Sequence, residues 1–340
     1  MPEGARSGLI TTPDGTRLRY ARWPSIPAQA RGTICLVHGR TEFIEKYFET
    51  VNDLRRRGFA VATFDFRGQG GSDRMLRNPR KGHVDRFEDY EQDLETFMRK
   101  VALPDCPPPL YGLGHSTGGN VLLLSANRMR TRMERIVVTA PLVRLARAPF
   151  RPGLLRAITG TLSFLGFGGF YAPGSGSEPQ HARSFTNNPL TSDIDRYRLV
   201  GKLSAAAPEL TIGGPTIHWV YAACVAMDRL EARGFGLDIH VPILMVAGGI
   251  DPVISRQSIE RLADRMKSAG QVLVAGARHE VLMERDELRD QFWAAFDAFI
   301  PGTPTATSNL QTTSDGGWDE TPYKFETDKE SRRRYSLTRR

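Results

Sequence analysis

Two kinds of apolar pattern alternate along the first part of the chain. Short, mostly apolar runs such as GTICLVHG and FAVATFDF suit strands buried on both faces of a sheet. Longer stretches carry apolar residues every three or four positions. Phe43, Ile44, Tyr47, Phe48, Val51 and Leu54 share one helical face that Gly58 closes, and Phe87, Tyr90, Leu94, Phe97, Met98 and Val101 mark a second helix. PPPLYGLGHS and GGNVLLLSANRM form a strand–helix pair, MERIVVTAP gives another strand, and SGLITTPDGTRLRYARW reads as a hairpin around a PDG turn.

The rhythm breaks at Leu142 and resumes at His240. There HVPILMVAGG, the helix Ile259–Met266, QVLVAG and the helix carrying Leu288, Phe292, Phe296 and Phe299 restore it. Alternating strands and helices predict an α/β fold with a mostly parallel sheet flanked by helices. Residues 1–141 and 240–300 form its two parts, and residues 142–239, too long for a loop and rich in helical pattern, form an inserted helical lid. In residues 301–340, Leu, Ile, Val and Phe occur only three times. Such a segment buries too little apolar area to offset its ordering entropy, so a disordered polar tail is expected there.

Composition narrows the function classes. The net charge is +8, but no zinc-finger, RNA-recognition or helix-turn-helix signature accompanies it, so no nucleic-acid partner is expected. The three cysteines (Cys35, Cys106, Cys224) are far apart and odd in number, which argues against a disulfide framework. No basic segment followed by an apolar stretch opens the chain, and no window is apolar enough to span a bilayer. Together these predict a cytoplasmic protein. No residue cluster suggests a metal site, and the chemistry read below needs no cofactor.

The chemistry concentrates in Gly114-His115-Ser116-Thr117-Gly118, between a predicted strand and a predicted helix. In a nucleophile elbow the serine occupies a strained turn, and small residues on both sides (Gly114 and Gly118) let the backbone turn that tightly. A serine hydroxyl needs a base to take its proton. His279, in Gly276-Ala277-Arg278-His279-Glu280, follows the last predicted strand and is the candidate; His240, at the start of a strand, lies at the wrong end of the sheet. Asp251 follows the strand ILMVA and is the natural orienting acid. Its plainer reading is a cap on the helix beginning near Ser255, and Asp238, which precedes the strand, is the runner-up. Acyl transfer also needs oxyanion donors: the backbone N–H of Thr117 and, from the loop His38-Gly39-Arg40-Thr41-Glu42, that of Arg40. Gly39 permits close backbone approach there, and His38 props the loop.

These motifs, with Lys46-Tyr47, Asp65-Phe66-Arg67-Gly68-Gln69-Gly70-Gly71-Ser72, Asn188-Pro189-Leu190-Thr191-Ser192-Asp193 and Ala277-Arg278-His279-Glu280, resemble the lysophospholipase and monoacylglycerol lipase branch of the α/β-hydrolases over about residues 8 to 300. The resemblance implies an α/β-hydrolase fold with a helical lid, Ser116, Asp251 and His279 as a catalytic triad, and Arg40 and Thr117 as oxyanion donors. Arg40 departs from the small residue of monoacylglycerol lipases. An acyl-lipid ester, lysophospholipid or monoacylglycerol, is the implied substrate. A proline-iminopeptidase-type peptidase and a low-turnover hydrolase-fold receptor are the alternatives, although iminopeptidases typically carry HGGPG where this chain has HGRTE.

The lid segment contributes one further expectation. Leu154, Leu155, Ile158, Leu162 and Leu165 share a helical face, with Arg144, Arg147, Arg151 and Arg156 beside it. An apolar face flanked by arginines suits peripheral contact with the anionic inner face of a membrane, whereas the plainer reading is a helix packed on the catalytic domain.

Overall fold

The PDG turn joins β1 (Arg6–Thr11) to β2 (Arg17–Trp23) as an antiparallel hairpin, and β2 runs antiparallel to β4 (Ala60–Phe64). The remaining strands are β3 (Thr33–Val37), β5 (Leu110–His115), β6 (Arg135–Thr139), β7 (Ile243–Gly248) and β8 (Ala269–Val274). In the computed structural model, which describes residues 1–27 and 30–301, the eight strands form one sheet ordered β1-β2-β4-β3-β5-β6-β7-β8. From β4 onward every pairing is parallel. All but the first residue of the predicted tail lies outside the described residues.

The fully buried strands are explained by what covers them. In β3, Cys35 and Val37 face a core that includes Phe97, Leu123 and Ala226, whereas Ile34 and Leu36 face Val51, Leu54, Phe292 and Phe296 on the other side. Successive side chains point to opposite faces, so a strand covered twice has no polar positions to spare. The covering helices are α1 (Phe48–Arg56) and α9 (Asp286–Phe299) on one face. On the other lie α2 (Phe87–Phe97), α4 (Thr117–Met129), α7 (Ile217–Glu231) and α8 (Arg256–Arg265), with a short α3 (Leu103–Asp105) between α2 and β5. The helix predicted from Phe43 is divided: a 3₁₀ turn covers Ile44–Tyr47 and α1 begins at Phe48.

Between β6 and β7 the chain forms α5 (Pro152–Leu162), α6 (Ile194–Ala206) and α7, joined by short turns. The face predicted for α5 splits. Leu155 is buried, but Leu154 is exposed, and a turn at Gly166 (φ +89°) follows α5 beside an exposed Leu165. Two of the predicted arginines pair with carboxylates, Arg144 with Glu231 and Arg156, itself exposed, with Asp228; Arg147 and Arg151 are exposed as well. No helix among the described residues is long and apolar enough to cross a membrane.

Sheet growth reverses direction at β3: β4 adds on one side, β5 and its successors on the other. In open α/β sheets the crevice outside the carboxyl ends of the strands at such a switch point is where ligands bind. Arg40 follows β3, Ser116 follows β5, Asp251 follows β7 and His279 follows β8, so four loops meet at that edge.

Candidate active site

Ser116 adopts φ +50°, ψ −112°, a conformation that L-residues avoid. Its backbone is held on both sides: its N–H donates to Thr139 O (3.0 Å), and its carbonyl accepts from Asn120 and Leu142 (3.0 Å each). The flanking glycines are required by space. A Cβ on Gly118 would lie 2.1 Å from Val37 O and 2.5 Å from His38 O, and one on Gly114 would lie 2.7 Å from Leu122 Cδ1. The elbow therefore packs directly against the end of β3.

The three separated loops bring their side chains into one hydrogen-bonded line. His279 Nε2 lies 3.1 Å from Ser116 Oγ, and His279 Nδ1 lies 2.9 Å from Asp251 Oδ2. The two oxygens of Asp251 have separate partners, and neither caps α8, whose N-cap is Ser255. Oδ1 accepts from the N–H groups of Val253 (2.7 Å) and Ile254 (3.0 Å), which fixes the carboxylate in its own turn, and Oδ2 is left for the imidazole. Burial pushes this carboxyl up, but His279 and those N–H groups outweigh it and hold it below the usual carboxylate range. Asp238 is exposed ahead of β7, and His240 sits beside it at the amino end of that strand.

Among the described residues, neither the Arg40 nor the Thr117 backbone N–H has a protein acceptor. The turn that aims the Arg40 peptide is strained at Thr41 (φ +65°), whose N–H donates to Gln69 Oε1 (2.6 Å). His38 is fully buried, with Nδ1 2.7 Å from Gly39 O and its ring edge-on to Phe66. His115 stacks obliquely 4.9 Å from His279. Burial drives its pKa down to about 4, so it is neutral near pH 7 and does not repel a charged His279. Asp65 and Arg67 act within the scaffold: Asp65 binds Arg19 and the N–H groups of Ile44 and Gly71, and Arg67 pairs with Asp93 and Asp14.

The sequence motifs that contain Glu42, Lys46, Tyr47 and Glu280 assign these residues no role. Lys46 Nζ sits between Glu42 Oε1 (2.6 Å) and Glu280 Oε1 (2.7 Å), with all three side chains at most 5% exposed. Glu42 also accepts from Tyr47 OH (2.8 Å) and from the Gly39 N–H. Burial raises its carboxyl, and Lys46 and His115 overcome that and bring it down to about 2. This buried ion group joins the Arg40 loop to the residue after His279. Removing one partner of such a group strands the others without compensation. Lys46→Met is therefore expected to lower unfolding stability by about 3–5 kcal/mol, measured by urea titration; a change below ~1 kcal/mol would show that the carboxylates are not held as buried charges.

A strained serine, an imidazole within hydrogen-bond reach and a carboxylate behind it, in chain order Ser–Asp–His at the carboxyl edge of a parallel sheet, define the class of serine α/β-hydrolases. Within it, residues 28–286 match the serine aminopeptidase S33 family, and the chain belongs to that family. It is 32% identical to lysophospholipase L2 of Escherichia coli K12 over 287 residues, covering 82% of this chain and 83% of that protein. It is 27% identical to the probable lysophospholipase L2 of Haemophilus influenzae, covering 84% and 88%. Among solved structures, a soluble variant of monoglyceride lipase from Saccharomyces cerevisiae superposes with TM-score 0.69 at 20% identity, covering 87% of this chain and 94% of that one. A thermostable carboxyl esterase from Bacillus coagulans gives 0.70 at 19%, covering 89% and 99%. The structural likenesses establish the α/β-hydrolase fold.

Proposed function

We propose that this protein hydrolyses the carboxylic ester of a monoacyl lipid, a lysophospholipid or a monoacylglycerol, through an acyl-enzyme on Ser116. The observation that carries this reading is the unbroken line from Ser116 Oγ through His279 to Asp251. His279 Nε2 takes the hydroxyl proton as Ser116 Oγ attacks the ester carbonyl, and Asp251 stabilises the imidazolium. The oxyanion forms between the N–H groups of Arg40 and Thr117. Collapse returns the proton to the departing glycerol oxygen, and water then repeats the sequence on the acyl-enzyme. The names of the lysophospholipase relatives support the lipid substrate. The loop HGRTE, without the second glycine and proline typical of iminopeptidases, speaks against a peptidase. Turnover measured across monoacyl phospholipids, monoacylglycerols, short esters and aminoacyl amides tests the reading. Monoacyl lipids are expected to lead, and preferred cleavage of the amides would overturn it.

The segment 142–239 serves in this reading as the acyl-binding lid and as a peripheral contact with anionic membrane. A cavity of about 250 Å³ within it is lined by Leu145, Phe150, Leu155 and Met227, with Arg144 and Asp228 also on its wall, and offers apolar surface to a lipid chain. Phe164 is 90% exposed, with exposed Leu165, Phe167 and Phe170 nearby in sequence. Arg147 and Arg151 each add roughly 1 kcal/mol near an anionic surface, an attraction that salt weakens. Phe164→Ser/Leu165→Ser and Arg147→Glu/Arg151→Glu are expected to float less with anionic vesicles than the parent. Equal flotation of all three proteins, or none, would remove the membrane part and leave the ester chemistry intact.

A further inference from the structure

Most of the shielded arginines in this protein hold carboxylates. Arg19 holds Glu45 and Asp65, Arg67 holds Asp93 and Asp14, Arg196 holds Glu49 and Asp193, and Arg289 holds Glu49 and Asp53. Arg40 does not. Its guanidinium lies over the Trp219 ring (5.3 Å to the centroid), and Nη1 donates to Gly213 O (3.1 Å). Among the described residues no carboxylate pairs with it. Nε and Nη2 have no protein acceptor there, and neither is sealed from solvent. Arginine carries five donors in a planar fork, and one is used. Burial lowers its pKa to about 10, which leaves it charged at neutral pH.

Glu42 favours the Arg40 charge through space without pairing with it. Residues 211–216 form a strap held to residues 80–82: Gly213 N–H donates to Arg80 O (2.8 Å), and Thr216 N–H to Gly82 O (2.9 Å). From residues 80–82, Arg80 Nη1 donates to Thr211 Oγ1 (2.5 Å) on the strap, and Lys81 Nζ donates to Gly169 O (2.6 Å) outside it. Neither has a carboxylate partner among the described residues. Arg40, Arg80 and Lys81 thus each donate to a neutral oxygen, and Arg40 and Lys81 also lie against aromatic rings. A partly shielded guanidinium left in that state favours an oxyanion, and phosphate matches its fork bidentately.

We infer that the Arg40 side chain is a specificity-determining headgroup anchor: it binds the phosphodiester of a monoacyl glycerophospholipid while the backbone N–H of the same residue binds the ester oxyanion. This rests on the ester-hydrolase reading and selects among its substrates. The reach is matched. About six bonds separate an acyl carbonyl carbon from the phosphorus of such a lipid, and about six separate an arginine backbone nitrogen from its guanidinium carbon, each on the order of 7 Å when extended. A monoacylglycerol presents a hydroxyl at that distance and gains no charged contact.

The test compares two substrates of equal acyl length, a lysophosphatidylcholine and a monoacylglycerol. Arg40→Met removes the guanidinium and keeps the peptide N–H, so the informative quantity is the ratio of the two kcat/KM values. That ratio is expected to fall about 10- to 100-fold, chiefly through KM for the phospholipid, with partial recovery in Arg40→Lys. An unchanged ratio, both substrates still being cleaved, overturns the anchor and leaves the ester hydrolase standing. A parent that cleaves neither lipid overturns the function and the anchor with it. The parent alone provides a second readout that needs no folded variant. With a short soluble ester as substrate, glycerophosphocholine is expected to inhibit competitively at concentrations where glycerol does not, and inorganic phosphate more weakly than glycerophosphocholine. Equal inhibition by glycerol and glycerophosphocholine removes the charged contact. Equal inhibition by phosphate and glycerophosphocholine assigns Arg40 to the free ion and overturns the headgroup role.

Discussion

Ser116→Ala is expected to lower ester turnover by about 10⁵- to 10⁶-fold, to abolish labelling by a fluorophosphonate probe, and to leave the melting temperature within a few degrees of the parent. The size of the effect follows from the proposed chemistry. Without Oγ there is no acyl-enzyme, and His279 and Asp251 have no proton to move; what survives comes from the oxyanion donors and substrate binding. The small stability effect follows from where the strain lies. The φ of +50° belongs to the backbone and is enforced by Gly114, Gly118 and the bonds to Thr139, Asn120 and Leu142, none of which uses the hydroxyl. The lost contact is one hydrogen bond of 3.1 Å to a buried imidazole. Undiminished probe labelling in the variant would place the nucleophile elsewhere; loss of the folded transition would mean that the hydroxyl holds the elbow together.

The elbow was legible because its chemistry and its geometry are both local. Glycines on either side of a serine, between an all-apolar run and an amphipathic one, state the turn and its neighbours within about a dozen residues. The positions of Asp251 and His279 were legible for a topological reason: each follows a strand of a parallel sheet, and the ends of parallel strands share an edge. What stayed hidden is pairing between distant positions. Lys46 looks like an ordinary polar position on a helical face, and only the fold brings Glu280 to within 2.7 Å of it. The same holds for the arginines near the lid. Sequence spacing put Arg144, Arg147, Arg151 and Arg156 in one group, whereas Glu231 and Asp228 on α7 claim the first and last of them. Arg40 shows the converse. Its departure from a small residue was visible in the sequence, but its lack of a carboxylate partner is a property of the packed structure.

Asp251→Asn is expected to lower kcat about 10⁴-fold, whereas Asp238→Asn changes it less than about twofold. The asymmetry rests on geometry. An asparagine at 251 keeps an oxygen for the Val253 and Ile254 N–H groups, so the turn survives. It then presents an amide NH₂, a donor, toward His279 Nδ1. The imidazole is thereby stabilised in the tautomer that carries its proton on Nε2, and that nitrogen can no longer accept from Ser116 Oγ. The imidazolium formed during attack also loses its counter-charge in a nearly closed site, where the Asp251 side chain is 2% exposed and the His279 side chain 6%. Asp238 has no part in this, being exposed ahead of β7, away from the edge where the four loops meet. The pH profile supplies an independent check. Because the folded structure holds the Asp251 carboxyl below its ordinary value, the parent keeps its orienting charge as pH falls through the usual carboxylate range and loses it only below that. Protonation of Asp251 is therefore not expected to limit activity within the usual carboxylate range, and the asparagine variant lacks the orienting charge at every pH. Near-parental kcat in Asp251→Asn, or a deeper loss in Asp238→Asn, would overturn the assignment of the acid.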